Sequence, residues 1–243
     1  MAYEGILANA LITAIASGCF LYVAAEVRRR RVRADSRSLA ALLLFGILGV
    51  HLAGAALRQV VAFVGAGDPA VLRVEAAIFY VVVIPATLSI VPLAYMATWA
   101  LTGRMAVTRA VTAFFLLVCA IAIGSVYVDG ITGPDLSFWA SEWAIGNPVA
   151  KACLGLVTLT AFAAGAILIR AGRTLPNDAA RRARLIGWSC IIYYAAFVGD
   201  ALGGPGVWLL AERTVMAVAA LIGYRAYFGA ATDARADASP SGD

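Results

Sequence analysis

The feature that most constrains this chain is a series of seven long apolar stretches. They run roughly over residues 5–26, 38–64, 71–101, 107–128, 149–171, 183–202 and 206–229. A helix needs about 20 mostly apolar residues to cross the hydrocarbon core of a bilayer, and each stretch reaches that length. Inside the core no water satisfies backbone N–H and C=O groups, so an apolar run there folds as a helix. Composition agrees: 63% of the 243 residues are hydrophobic and 14% are charged. Soluble domains average about 45–50% and 25%, so soluble enzyme folds are excluded. The expected fold is all-α, an integral membrane bundle of seven transmembrane helices spanning residues 1–230. The polar tail, 231–243, is expected to be disordered. The first stretch lacks a basic leader, so no cleavable signal peptide is expected.

The charges set an orientation. Formal net charge is +5, and the sole lysine is Lys151. Fifteen of the 19 cations fall in the loops after the first, third, fifth and seventh stretches. They include Arg28 to Arg31, Arg33, Arg37, Arg104, Arg109, Arg170, Arg173, Arg181, Arg182, Arg184, Arg225 and Arg235. The alternate loops carry Asp68, Asp129, Asp135 and Glu142. Cationic loops stay in the cytoplasm, which puts the N-terminus outside and the C-terminus inside. The basic balance is thus an orientation signal, and nucleic acid is not a needed partner. Localisation in the plasma membrane as a multi-pass protein follows.

Three segments carry further detail. Pro85 and Pro92 lie seven residues apart in the third stretch, which predicts a kink or local unwinding. The longest outer loop, 129–148, holds Phe138, Trp139 and Trp143. That pattern fits a short amphipathic piece anchored at the interface, or a lid over the outer mouth. The four cysteines lie in apolar stretches with no CxxC spacing, which reads as packing. Small-residue pairs, Ala14/Gly18 and Ala219/Gly223, suit close helix contacts.

Ionisable groups inside a membrane are costly and mark candidate functional positions. His51 and Arg58 share one face of the second helix. Arg73, Tyr80 and Thr87 recur every seven residues on the third, with Glu75 beside them. Ser189, Tyr193, Ala196 and Asp200 make a stripe on the sixth. Glu212 and Arg213 lie about two turns into the seventh. The expected pairings are Glu212 with Arg58 or Arg73, and Arg213 with Glu75 or Asp200. These groups cluster in the outer half, so the expectation is an outward-facing polar pocket or a buried ion-pair network. A single histidine excludes bis-His haem and His-based metal clusters. No enzyme activity, catalytic residue or metal site is expected.

Two families resemble this chain. Trp188-Ser189, Tyr193 and Gly199 resemble the sixth-helix motif of microbial rhodopsins, without that family's proline. Glu212 falls where the seventh helix of that family carries an acid, and Met216 falls where it carries the retinal-binding lysine. Methionine cannot form a Schiff base, so the resemblance implies no covalent retinal; retinal or a carotenoid could bind only non-covalently. The second resemblance is to the seven-transmembrane sensory module of prokaryotic histidine kinases. It rests on the Arg-rich loop after the first helix and on Pro92-Leu-Ala-Tyr-Met-Ala-Thr-Trp-Ala-Leu-Thr-Gly-Arg104. The two together imply a rhodopsin-like layout and a non-enzymatic receptor or sensor, signalling through a separate cytoplasmic or membrane partner. The alternatives are an opsin-like protein without covalent retinal, and an ion or proton conductor using His51, Arg58, Glu75 and Glu212.

Overall fold

A computed structural model describes residues 4–30, 36–65, 68–203 and 206–228. The polar tail, residues 31–35 and Gly204-Pro205 lie outside the described residues. The helices are α1 (Glu4–Arg30), α2 (Ser36–Val64), α3 (Pro69–Leu88), α4 (Ile90–Thr102), α5 (Met105–Asp129), α6 (Pro148–Ala171), α7 (Asn177–Gly203) and α8 (Trp208–Phe228). α3 and α4 are one helix broken at Ser89, so the bundle has seven helices. Five of them are long and apolar enough to cross a membrane: α1, α2, the α3–α4 pair, α5 and α6. α7 and α8, of 27 and 21 residues, are more polar, with Arg181, Arg182, Arg184 and Asp200 on one and Glu212, Arg213 and Arg225 on the other.

Neighbours in sequence pack on one another, and α8 returns to α1, which closes the bundle. Large apolar side chains face outward along it, including Leu11, Val50, Leu117 and Leu159. Water would not tolerate such a belt on a monomer, whereas lipid does. Polar contacts gather one end of the bundle: Asn9 with Trp139, Gln59 and Glu75 with Ser141, Asn147 with Asp129, and Arg213 with Asp200. That end gathers the start of α1, the ends of α2, α5 and α7, and the starts of α3, α6 and α8. The opposite, arginine-rich end gathers the remainder.

The break at Ser89 has a plain cause. Pro85 and Pro92 each lack an N–H, so two hydrogen bonds of the helix ladder are missing around it. Ser89 ties the break to its surroundings: its hydroxyl donates to the Ala86 carbonyl at 2.6 Å and lies 2.6 Å from the Tyr194 hydroxyl of α7.

One expectation is corrected. The loop between α5 and α6 forms a β-hairpin, with β1 (Ile131–Leu136) antiparallel to β2 (Ser141–Ile145). The bundle is therefore not purely helical. Gly133, at φ +127°, sits in the bulge between Thr132 and Asp135, a backbone conformation that suits glycine. Asn147 fixes the hairpin base: its side chain caps α6 through the Val149 and Ala150 N–H groups and donates to Asp129 at the end of α5.

The core of the arginine-rich half and the middle is apolar. Phe20, Phe45, Leu44, Leu48, Leu93, Cys119, Cys190, Met216 and Ala219 are among its buried members. α6 and α7 approach closest at Gly165 and Gly187, where a Cβ on either would meet the carbonyl oxygen of the other within 3 Å. Of the small residues singled out in the sequence, Gly223 lies tight against Phe45 and Ser189, whereas Gly18 faces open space.

Candidate functional site

The polar groups that cannot face lipid meet beneath the hairpin. α2 contributes Arg58 and Gln59, which are adjacent in sequence and both buried. Arg58 Nη1 lies 3.4 Å from Glu75 Oε1 on α3, and Nη2 lies 3.9 Å from Glu142 Oε1 on β2. Its guanidinium also sits 5.5 Å from the centre of the Phe79 ring. Glu75 is fully buried and accepts a 2.5 Å hydrogen bond from the Ser141 hydroxyl. Gln59 clasps the Ser141 backbone from both sides: its amide nitrogen donates to the carbonyl, and its oxygen accepts from the N–H, each at 3.1 Å. The hairpin is therefore fastened into the bundle through a main-chain contact as well as through charge.

A second pair lies on the last two helices. Arg213 Nη2 of α8 lies 2.8 Å from Asp200 Oδ2 of α7, and its Nη1 donates to the Met216 sulfur at 3.6 Å. The two pairs share one electrostatic environment, since Glu142 feels Asp200, Arg58, Arg213 and Glu212. Burial and the Asp200 carboxylate push the Glu142 carboxyl up to about 7, against the pull of both guanidiniums.

Several polar atoms in this region are buried without a hydrogen-bond partner: His51 Nε2, Glu75 Oε2, Glu142 Oε1, Asp200 Oδ1 and Trp143 Nε1. Orphaned atoms of this kind are few in folded proteins and call for a specific account. His51 packs edge-on to Phe197, and its Nδ1 lies 3.4 Å from the Val82 carbonyl. α1 closes the near side, where Asn9 donates to the Trp139 carbonyl at 3.3 Å.

The residues singled out in the sequence divide into three groups. Arg58, Glu75, Asp200 and Arg213 form the two ion pairs. His51, Tyr193 and Met216 lie beside them; Tyr193 is buried edge-on to Phe20 and feels Arg213 and Asp200. Arg73, Tyr80 and Glu212 stand apart. Arg73 is exposed. Tyr80 packs against the Tyr127 ring at 5.0 Å, and its carbonyl accepts from the Tyr127 hydroxyl, so it faces α5. Glu212 is half-buried with its carboxylate against Gly199. The expected pairing of Glu212 with Arg58 or Arg73 is thus corrected: Glu75 and Glu142 already hold Arg58, and Arg73 points out of the bundle. The expected pairing of Arg213 with Asp200 is found.

Sequence reading missed Gln59, Ser141 and Glu142. Gln59 carried a signal, being a polar side chain next to Arg58 in an apolar helix. Asn9, Thr13 and Ser17 carried another: four residues apart, all buried, with Thr13 bonded to Asn9 and Ser17 to the Gly49 carbonyl. Glu142 gave none, because an acid in an outer loop is what orientation alone predicts.

Two cavities lie elsewhere. One, of about 320 Å³, is an apolar groove beside the Ser89 break, lined by Leu39, Leu43, Leu88, Val91, Pro92 and Leu116. The other lies near the arginine-rich end, between Arg170, Arg173 and Trp188. Comparison with protein-family profiles, curated proteins and solved structures returns no match.

Proposed function

We propose that this protein is a seven-helix membrane receptor or sensor without catalytic activity. In this reading all seven helices cross the membrane, the hairpin faces outside, and the arginine-rich end faces the cytoplasm. The observation that carries it is the placement of the network. Charges on α2, α3, α7 and α8 converge under an outer hairpin and are tied to it by Gln59, Ser141 and Glu142. A stimulus that shifts the hairpin changes the balance of charge among four helices at once. A separate cytoplasmic or membrane partner then reads the displacement of the opposite helix ends. A conductor is less well supported. The acid described near the arginine-rich end of α1 is Glu26, engaged by Arg29 at 3.0 Å, and the path between is packed with Phe20, Phe45 and Leu48.

Spin labels at Arg170 and Arg225 test this reading in proteoliposomes. A receptor shows a changed distance between the labels when the network is disturbed by Arg58→Gln. An unchanged distance, together with ion flux through the wild-type protein, would sink the receptor and establish the conductor. One observation favours a pigment-binding variant: the groove beside Ser89, of about 320 Å³, is lined almost wholly by apolar side chains, which suits a non-covalent retinal or carotenoid. A visible absorbance band in purified protein, lost on Val91→Trp, would establish it.

A further inference from the structure

We propose that the network under the hairpin is a binding site for one proton, taken from the aqueous phase on the hairpin side and held on the Glu142 carboxyl, and that the bound proton keeps the hairpin seated. This rests on the receptor reading above and names its stimulus.

The argument begins with charge. Two guanidiniums, Arg58 and Arg213, face three acids, Glu75, Glu142 and Asp200. Glu212 adds a fourth acid at the rim. Fully ionised, the network carries excess negative charge where burial makes unmatched charge unfavourable. One added proton removes the excess.

Hydrogen bonding leads to the same place independently. Each of the three acids has one oxygen without a partner: Glu75 Oε2, Glu142 Oε1 and Asp200 Oδ1. Ionised carboxylates only accept, so they cannot satisfy one another. A protonated carboxyl donates, and one proton turns a repelling pair of acceptors into a donor and an acceptor. Glu75 is fully buried, with Oε1 in the network and Oε2 open. His51, which is 6% exposed and feels both Arg213 and Arg58, brings a further unpartnered nitrogen to the same region.

Glu142 is the acid that takes the proton. Glu75 is held by Arg58 and by the Ser141 hydroxyl, and Asp200 by Arg213 at 2.8 Å. Glu142 has only the 3.9 Å approach of Arg58, too long for a hydrogen bond. It also sits on a loop strand with access to water. The groups facing it are Asp200 of α7 and Glu212 of α8, which raise its affinity for a proton, and Arg58 of α2 and Arg213 of α8, which lower it; Asp135 of β1 stands opposite it in the strand register. Glu75 of α3 lies across Arg58. Burial and Asp200 prevail and place the carboxyl at about 7.

The step is simple: an O–H bond forms on the Glu142 carboxylate with a proton from outer water, and no electrons move. The sign follows from linkage. The seated hairpin binds the proton more tightly than a lifted one, whose carboxyl returns to about 4.3. Seating is therefore strongest below that value and weakens as pH rises through about 7.

Infrared difference spectroscopy on proteoliposomes tests the site, and hydrogen exchange of residues 131–145 tests the seating. A protonated-carboxyl C=O band is expected to vanish between pH 5 and pH 8, with a midpoint near 7, and to be missing in Glu142→Gln. Hairpin exchange, corrected for intrinsic rates, is expected to be at least about tenfold faster at pH 8 than at pH 5. It should be slow at both in Glu142→Gln, which mimics the protonated form. Asp200→Asn provides a second variant, expected to lower the midpoint by removing the neighbouring charge. A band that persists in Glu142→Gln, or corrected exchange that is flat with pH, overturns the proposal. So does a response to sodium or potassium at fixed pH without a response to protons. If the band titrates on Glu142 but the labels at Arg170 and Arg225 do not move, the proton site stands and the receptor reading fails.

Discussion

The two halves of the bundle are held together by different physics. Under the hairpin, helices meet through charge: Arg58 with Glu75 and Glu142, and Arg213 with Asp200. Toward the arginine-rich end they meet through shape: Phe20 stacks on Phe45 at 6.1 Å, and the α6 and α7 backbones touch at Gly165 and Gly187. In lipid no hydrophobic effect drives helices together, so packing and polar contacts must do so. The comparison teaches that this chain separates these two means by depth. The packed half resists displacement because its close fit leaves no slack. The charged half has few alternatives of equal energy, so a change of one charge there has a direction.

The sharpest way to break this comparison is to strand the charges. Arg58→Met should leave Glu75 and Glu142 without their cation and lower stability by about 3–5 kcal/mol, read by unfolding in mixed micelles. Adding Glu75→Gln should recover much of the loss. A double variant as unstable as the single one would show that Arg58 acts by packing. Next in size is Phe45→Ala in the packed half, expected to cost about 3 kcal/mol through the cavity it leaves. No charge substitution should rescue it.

Smaller effects test the joints between the halves. Ser89→Ala removes the hydroxyl shared by Ala86 and Tyr194 and should cost about 1 kcal/mol. It should also raise hydrogen exchange around the α3–α4 break while leaving the hairpin unchanged. Asn147→Ala removes the α6 cap and the tie to Asp129, and should cost about 1 kcal/mol. Its exchange signature should be confined to the hairpin base. Spread of either signature into the other half would show that the two are not separate.

Much of the architecture was legible because bilayer thickness imposes length. The apolar stretches give the helices to within a few residues, and Pro85 with Pro92 gives the break. The hairpin was not legible. Its aromatic residues fit an interfacial helix equally well, and strand pairing over five or six residues leaves a weak local pattern. At the site, the Arg213–Asp200 pair is among the expected pairings, because three acids and three cations at similar depth have few choices. Neither partner of Arg58 is among the expected pairings. Glu142 reaches the network only through the fold of a loop, and helical periodicity is silent about loops. Met216 was legible as a position, and its contact was not: Arg213 reaches it one turn along the same helix.

The position of the two ion pairs along the chain bears on how the protein enters a bilayer at all. Arg58 and Glu75 are 17 residues apart and lie on consecutive helices, α2 and α3. Asp200 and Arg213 likewise sit on the consecutive pair α7 and α8. Each of these cations therefore has its counter-charge on an adjacent helix in the chain, the following one for Arg58 and the preceding one for Arg213. In the reading in which all seven helices cross the membrane, each ion pair closes within one helical hairpin, α2–α3 or α7–α8, without waiting for distant segments to be made. The charges that give the finished bundle its polar half are, during biogenesis, never left alone for longer than one helix.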